Sequence, residues 1–134
     1  MITDILKTLS DPTRLRILNL LSHGEMCVCE LEYLLGIKQS NLSKHLGILD
    51  RNHLIRRNRV NKFVFCQINE EGLHQYDFPG EILSLIQCEE PFCTDEQNYR
   101  DYQAGPLTCD CLPILLLEER LNHSMPRDAT IQEP

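Results

Sequence analysis

Between residues 2 and 51 apolar side chains return every three or four positions, and between 54 and 68 they gather in two short β-rich runs. The first rhythm belongs to helices buried along one face, the second to strands. Ile2, Ile5, Leu6 and Leu9 predict a short opening helix. Asp11 is placed to cap the next one, Pro12 suits its first position, and Leu15, Leu18 and Leu21 share a face before Gly24 closes it. A third helix is predicted from Glu30 to a stop at Gly36, and a fourth, QSNLSKHLGILDRNHL, carries Leu42, Leu46 and Leu49 on its apolar side. The runs on either side of Asn58-Arg59-Val60-Asn61 predict a hairpin with Arg57, Arg59 and Lys62 at its tip. Residues 70–87 predict a last helix, interrupted by Pro79-Gly80 so that its regular part begins near Glu81. From Cys88 the rhythm is lost among acids, prolines and cysteines, which predicts a poorly ordered tail unless something ties it down. The division expected is therefore a folded unit over 1–87 and an acidic, cysteine-containing tail over 88–134.

Two short helices joined across Gly36, Ile37 and Lys38, the second polar and basic toward its start, form a helix-turn-helix, and the hairpin behind it supplies a wing. The fold class predicted is mainly α with a small β-hairpin, a winged helix-turn-helix. Gln39, Ser40, Asn41, Ser43, Lys44 and His45 surround the apolar stripe of the reading helix and are the candidates for base or phosphate contact. Arg57, Arg59 and Lys62 are candidates for phosphate contact from the wing. The residue before the reading helix is Lys38, which cannot cap with a side-chain oxygen, so DNA or Ser40 is left to satisfy the first amides.

Charge sharpens this picture. The net charge over 134 residues is −7, yet residues 1–66 hold ten Lys and Arg against six Asp and Glu, a net +4, and residues 67–134 carry −11. The basic half suits DNA and the acidic half does not. No run of 18 apolar residues occurs and the first residues lack a signal peptide's apolar core, which predicts a cytoplasmic protein with no membrane partner.

Seven cysteines in a reducing compartment make a poor disulfide framework and point instead to thiolate ligands. Cys27 and Cys29, in Glu25-Met-Cys-Val-Cys-Glu30, stand just ahead of the reading helix. Thiolates select soft ions, so As(III), Sb(III), Cd(II), Pb(II) and Zn(II) are the candidates, and Mg(II) and Ca(II) are excluded. Cys66 shares a strand face with Val64 and Ile68 and is read as core; His23, His53, His74 and His123 are read as structural or exposed.

LSDPTRLRILNLL, EMCVCELEYLLGIKQSNLSKHLGIL and NKFVFCQIN together resemble the ArsR/SmtB family of metal-responsive repressors, over roughly residues 2–87. The resemblance implies a winged helix, a homodimer paired through its first and last helices, and release from double-stranded operator DNA on metal binding. Within that family the Cys-Val-Cys resembles the inducer site of the arsenite and antimonite sensors, and of the cadmium and lead sensors. Two differences stand out. Glu32 occupies the place of the third cysteine of the arsenite sensors, and no cysteine precedes Cys27. His74 alone stands where the family's zinc sites would require paired ligands.

On an intact helix Cys27 and Cys29 would diverge by about 200°, so sharing one ion would unwind the first turn of the support helix and tilt the reading helix. The missing third thiolate has three readings in Cys88, Cys93, Cys109 and Cys111: unligated thiols, a separate four-thiolate site, or donation of a sulfur to Cys27 and Cys29. Two other classes compete: a thiol-oxidation sensor on the same scaffold, separable by titrating arsenite against peroxide, and a thiol oxidoreductase. The latter would call for an α/β fold whose βαβ pattern this sequence lacks, so no enzyme is expected.

Overall fold

The computed structural model describes residues 1–108, 112–113 and 115–117. Asp11 caps the second helix as its sequence predicts, its carboxylate accepting from the amides of Thr13 and Arg14, and Pro12 fills the first position. The helices of the first half are α1 (Ile2–Leu9), α2 (Pro12–Leu21), α3 (Val28–Leu35) and α4 (Gln39–Arg51). Strands β2 (Ile55–Val60) and β3 (Phe63–Ile68) form the wing. The apolar stripe of α4 behaves as the periodicity requires, with Leu42, Leu46 and Leu49 buried. In α2 the burial goes beyond one stripe: Ile17, Leu18, Leu20 and Leu21 are all in the core, because this helix lies at its centre.

A third strand was not legible in the sequence. β1 (Met26–Cys27) pairs antiparallel with β3, Met26 opposite Cys66 and Cys27 opposite Phe65, giving the order β1-β3-β2. At two residues it is too short to show any alternation.

The last predicted helix is divided into α5 (Glu70–Leu73) and α6 (Phe78–Ile86). Pro79 and Gly80 fall inside α6 instead of before it. Proline is tolerated there because the first turn of a helix needs no intrahelical amide donor. Leu83 and Ile86 are buried, while Leu85 is 73% exposed.

The largest departure lies beyond residue 87. Phe92–Ala104 form a regular helix, α7, packed on α2 and α3. Asp95, Glu96, Tyr99 and Tyr102 reach α2, the turn after it and α3: Asp95 meets Arg16, Glu96 hydrogen-bonds His23 at 2.7 Å, Tyr99 stacks on His23 with centroids 4.2 Å apart, and Tyr102 meets Glu30. This docking face is polar and aromatic, so its sequence shows no aliphatic rhythm. Further on, Leu112 is fully buried and Leu116 nearly so, which joins part of the expected tail to the core.

Candidate nucleic-acid interface and thiol cleft

The support helix α3 ends at Gly36, whose φ of 66° and ψ of 31° place it in the left-handed region that glycine enters without strain. Its N–H donates to the Glu32 carbonyl at 3.0 Å, and three residues later α4 begins. Lys38 occupies the N-cap position with no side-chain hydrogen bond, as expected. Gln39, Ser40, Asn41, Ser43 and Lys44 are exposed along the reading helix. His45 differs from them. It is half-buried, its Nδ1 lies 3.2 Å from Arg14 Nη1, and Arg14 Nε in turn donates to the Thr8 carbonyl at 2.8 Å. This side chain ties α4 to α2 and α1 in addition to any surface role.

The wing turns at Asn61-Lys62, between the paired Val60 and Phe63, with Asn61 at a φ of 56°. Of the three expected tip residues only Lys62 is there; Arg57 and Arg59 lie on β2, opposite Cys66 and Val64. Two-residue hairpin loops favour positive φ, which asparagine adopts readily, and this moves the turn later than the sequence suggested. Arg57 donates from Nε and Nη2 to Asp50 Oδ2 at 3.0 and 2.9 Å, which fixes the wing to the end of α4. Lys62 Nζ sits 5.4 Å from the centre of the Phe63 ring. Neither Arg59 nor Lys62 makes an ion pair among the described residues.

Between α3, α4 and the wing lies an open cleft of about 460 Å³. Cys27 and Cys29 line it together with Glu32, with Gln39 and Ser43 of α4, and with Arg57, Arg59 and Lys62. Cys27 is not helical. It belongs to β1 with φ of −79° and ψ of 159°, and serves as the N-cap position of α3. The expectation that both thiols share the first helical turn is thus corrected: the helix starts between them, at Val28, so both can face one cleft across a strand-to-helix junction. Glu30 makes that junction firm, its Oε1 accepting from the Cys27 amide at 3.0 Å.

Pro113 and Leu116 line the same cleft, a contribution that no sequence signal announced. Among the described residues no three His, Cys, Asp or Glu side chains converge as a metal-binding group. Cys88 is exposed and Cys93 half-buried, Cys93 Sγ lying 3.4 Å from the Gln87 carbonyl, and neither lines the cleft. Cys109 and Cys111 lie outside the described residues. Cys66 is fully buried, as its reading as a core residue predicts, and burial pushes its thiol up to about 12, so it is protonated in the core.

A tight helical pair, a polar reading helix and a basic hairpin behind it define a winged helix-turn-helix DNA-binding protein. Comparison with known proteins gives the family. The model for bacterial regulatory proteins of the arsR family matches residues 11–56. The chain is 40% identical over 93 residues to the arsenical resistance operon repressor of Staphylococcus xylosus, covering 69% of this chain and 86% of that protein. It is 39% identical over 97 residues to the biofilm growth-associated repressor of Xylella fastidiosa, covering 72% and 78%. The crystal structure of the transcriptional repressor BigR from Xylella fastidiosa superposes with a TM-score of 0.55 at 31% identity, covering 64% of this chain and 82% of that one. The chain belongs to the ArsR/SmtB family of transcriptional repressors; it is a regulator and not an enzyme. Among the described residues no helix is long and apolar enough to cross a membrane.

Proposed function

We propose that this repressor binds operator DNA as a homodimer and is released when As(III) or Sb(III) is bound by Cys27 and Cys29. The observation that carries this reading is the shared cleft: the two thiols line the same walls as Gln39 and Ser43 of the reading helix and Arg57, Arg59 and Lys62 of the wing. An ion held there adjoins the side chains proposed to touch DNA, so its binding and that of the operator are coupled. Such coupling is typically about 1–3 kcal/mol and acts equally in both directions. The family relation to an arsenical resistance repressor supports the choice of inducer.

In this reading Gln39, Ser40, Asn41, Ser43, Lys44 and His45 meet bases or phosphates, and Arg57, Arg59 and Lys62 meet phosphates. Ile2 and Leu6 of α1 and Leu85 of α6 are exposed apolar side chains, which supports pairing of two copies through those helices. Trivalent arsenic favours three sulfurs, and Glu32 offers oxygen. Cys109 or Cys111 supplies the third sulfur; the support is that Pro113, two residues past Cys111, lines the cleft. Cys88 and Cys93 stand apart from this cleft and are proposed to be no part of the inducer site.

The test is operator binding by the reduced protein titrated in parallel with As(III), Sb(III), Cd(II), Pb(II), Zn(II) and peroxide. Release by arsenite or antimonite, abolished in Cys27→Ser and Cys29→Ser while DNA binding persists, is the expected result. Release by the divalent ions alone would make this a cadmium, lead or zinc sensor, and release by peroxide alone a thiol-oxidation sensor.

A further inference from the structure

Helix α7 is held to both ends of the support helix by two charged side chains that each bridge two elements. At the start of α3 the Glu30 carboxylate accepts from the Cys27 amide with Oε1 and from the Tyr102 hydroxyl of α7 with Oε2, the latter at 2.5 Å. At its end the Arg16 guanidinium donates from Nε and Nη2 to the two oxygens of Asp95 on α7, both at 2.8 Å, and Nη2 also reaches the Leu35 carbonyl at 3.3 Å. Leu35 is the last residue before Gly36, where the turn into the reading helix begins. Asp95 is 1% exposed and Tyr102 9%, so both contacts are shielded from water, where hydrogen bonds to charged groups are strongest.

We infer that Asp95 and Tyr102 are positioning residues for the inducer response: α7 is a brace that holds α3 in the DNA-reading pose, and ligation at Cys27 has to loosen it. The inference rests on the reading of Cys27 and Cys29 as the inducer site. Those residues sit on opposite sides of the strand-to-helix junction. On this inference, closing both sulfurs onto one ion within the open cleft turns the backbone at Cys27–Val28, and the Glu30 carboxylate, which accepts from both the Cys27 N–H and the Tyr102 hydroxyl, passes that turn to α7. Rotation of α3 moves the Leu35 carbonyl against Arg16, which Asp95 anchors to the same helix. A brace favouring one of two poses makes the other costly, and the ligand must supply the difference.

The sign of the effect follows. Weakening the brace raises the population of the inducer-binding pose, so inducer affinity increases, whereas a merely structural defect would leave it unchanged or reduce it. In full-length, DNA-free reduced protein, Tyr102→Phe, which keeps the ring, and Asp95→Asn, which keeps the shape, should each bind arsenite about tenfold tighter than wild type, the low end of the scale for one hydrogen bond to a charged group. Operator affinity should fall by a smaller factor, since the reading pose remains the majority state. The effect should vanish in Cys27→Ser combined with either substitution. Arsenite affinity equal to or weaker than wild type in both variants overturns the brace while leaving the inducer site intact. Failure of the wild type itself to bind arsenite overturns the inducer-site reading and the brace with it.

Discussion

Asp95 receives two hydrogen bonds from Arg16 across 79 residues of sequence, and this pair fixes α7 to the helix at the centre of the core. Asp95 raises the Arg16 pKa through these hydrogen bonds, against the opposing effect of burial, so the arginine is charged at any pH the protein meets. Asp95→Ala would leave that charge partly buried without its partner. Removing one member of a buried pair costs about 3–5 kcal/mol, and because the Arg16 side chain is 21% exposed the loss should lie at or below the low end. Urea unfolding should show it as a lower midpoint, and Arg16→Ala combined with Asp95→Ala should cost less than the two losses added.

Leu112 should behave as a core residue despite its place in an acidic, proline-containing segment. Its side chain is fully buried, and Leu→Ala at such sites costs about 2–5 kcal/mol. A Leu112→Ala variant with wild-type stability would mean that this segment is not docked in solution.

Cys66 makes stability depend on alkaline pH. Burial raises its thiol from 9.0 to about 12, with Cys27, Asp50 and Glu25 reinforcing the rise and Arg57 opposing it. The folded state therefore favours the protonated thiol. That contribution is complete below pH 9 and is lost as pH climbs from there toward 12. Comparing urea midpoints of wild type and Cys66→Ala from pH 7 to 10.5 should show the wild-type advantage shrinking only above about pH 9.

The wing cations should separate by role. Each phosphate contact contributes about −0.9 to the slope of log K against log salt, so Arg59→Ala and Lys62→Ala should each flatten the slope by about that amount with sequence preference kept. Arg57 also holds Asp50 at the end of α4, so Arg57→Ala should additionally loosen the wing. Hydrogen exchange in β2 and β3, faster in Arg57→Ala than in Arg59→Ala, would display the difference.

Gly72 is required by a close approach and not by its backbone angles. A Cβ there would lie 1.6 Å from the His53 carbonyl oxygen, a backbone atom that cannot swing aside. Gly72→Ala should cost about 1–3 kcal/mol, the range for overpacking, measured as a drop in the unfolding midpoint.

The sequence by itself determined the reading head. Asp11 and Pro12 start α2, Gly36 ends α3, and Leu42, Leu46 and Leu49 turn α4 so that Gln39, Asn41, Ser43 and Lys44 face outward. Caps, breakers and aliphatic stripes act within one or two turns of chain, so each is written where it acts. The Cys-Val-Cys was equally visible as a pair of soft ligands, although the strand that takes Cys27 out of the helix was not, because its cause is pairing with residues some forty positions later. Only the tertiary structure decided the fate of the chain past Gln87. Asp95, Glu96, Tyr99 and Tyr102 carry no aliphatic rhythm and suggest an exposed acidic segment when read locally. Their partners Arg16, His23 and Glu30 lie more than sixty residues away, and hydrogen bonds of this kind depend on atoms meeting at about 3 Å, a condition that local sequence pattern does not encode.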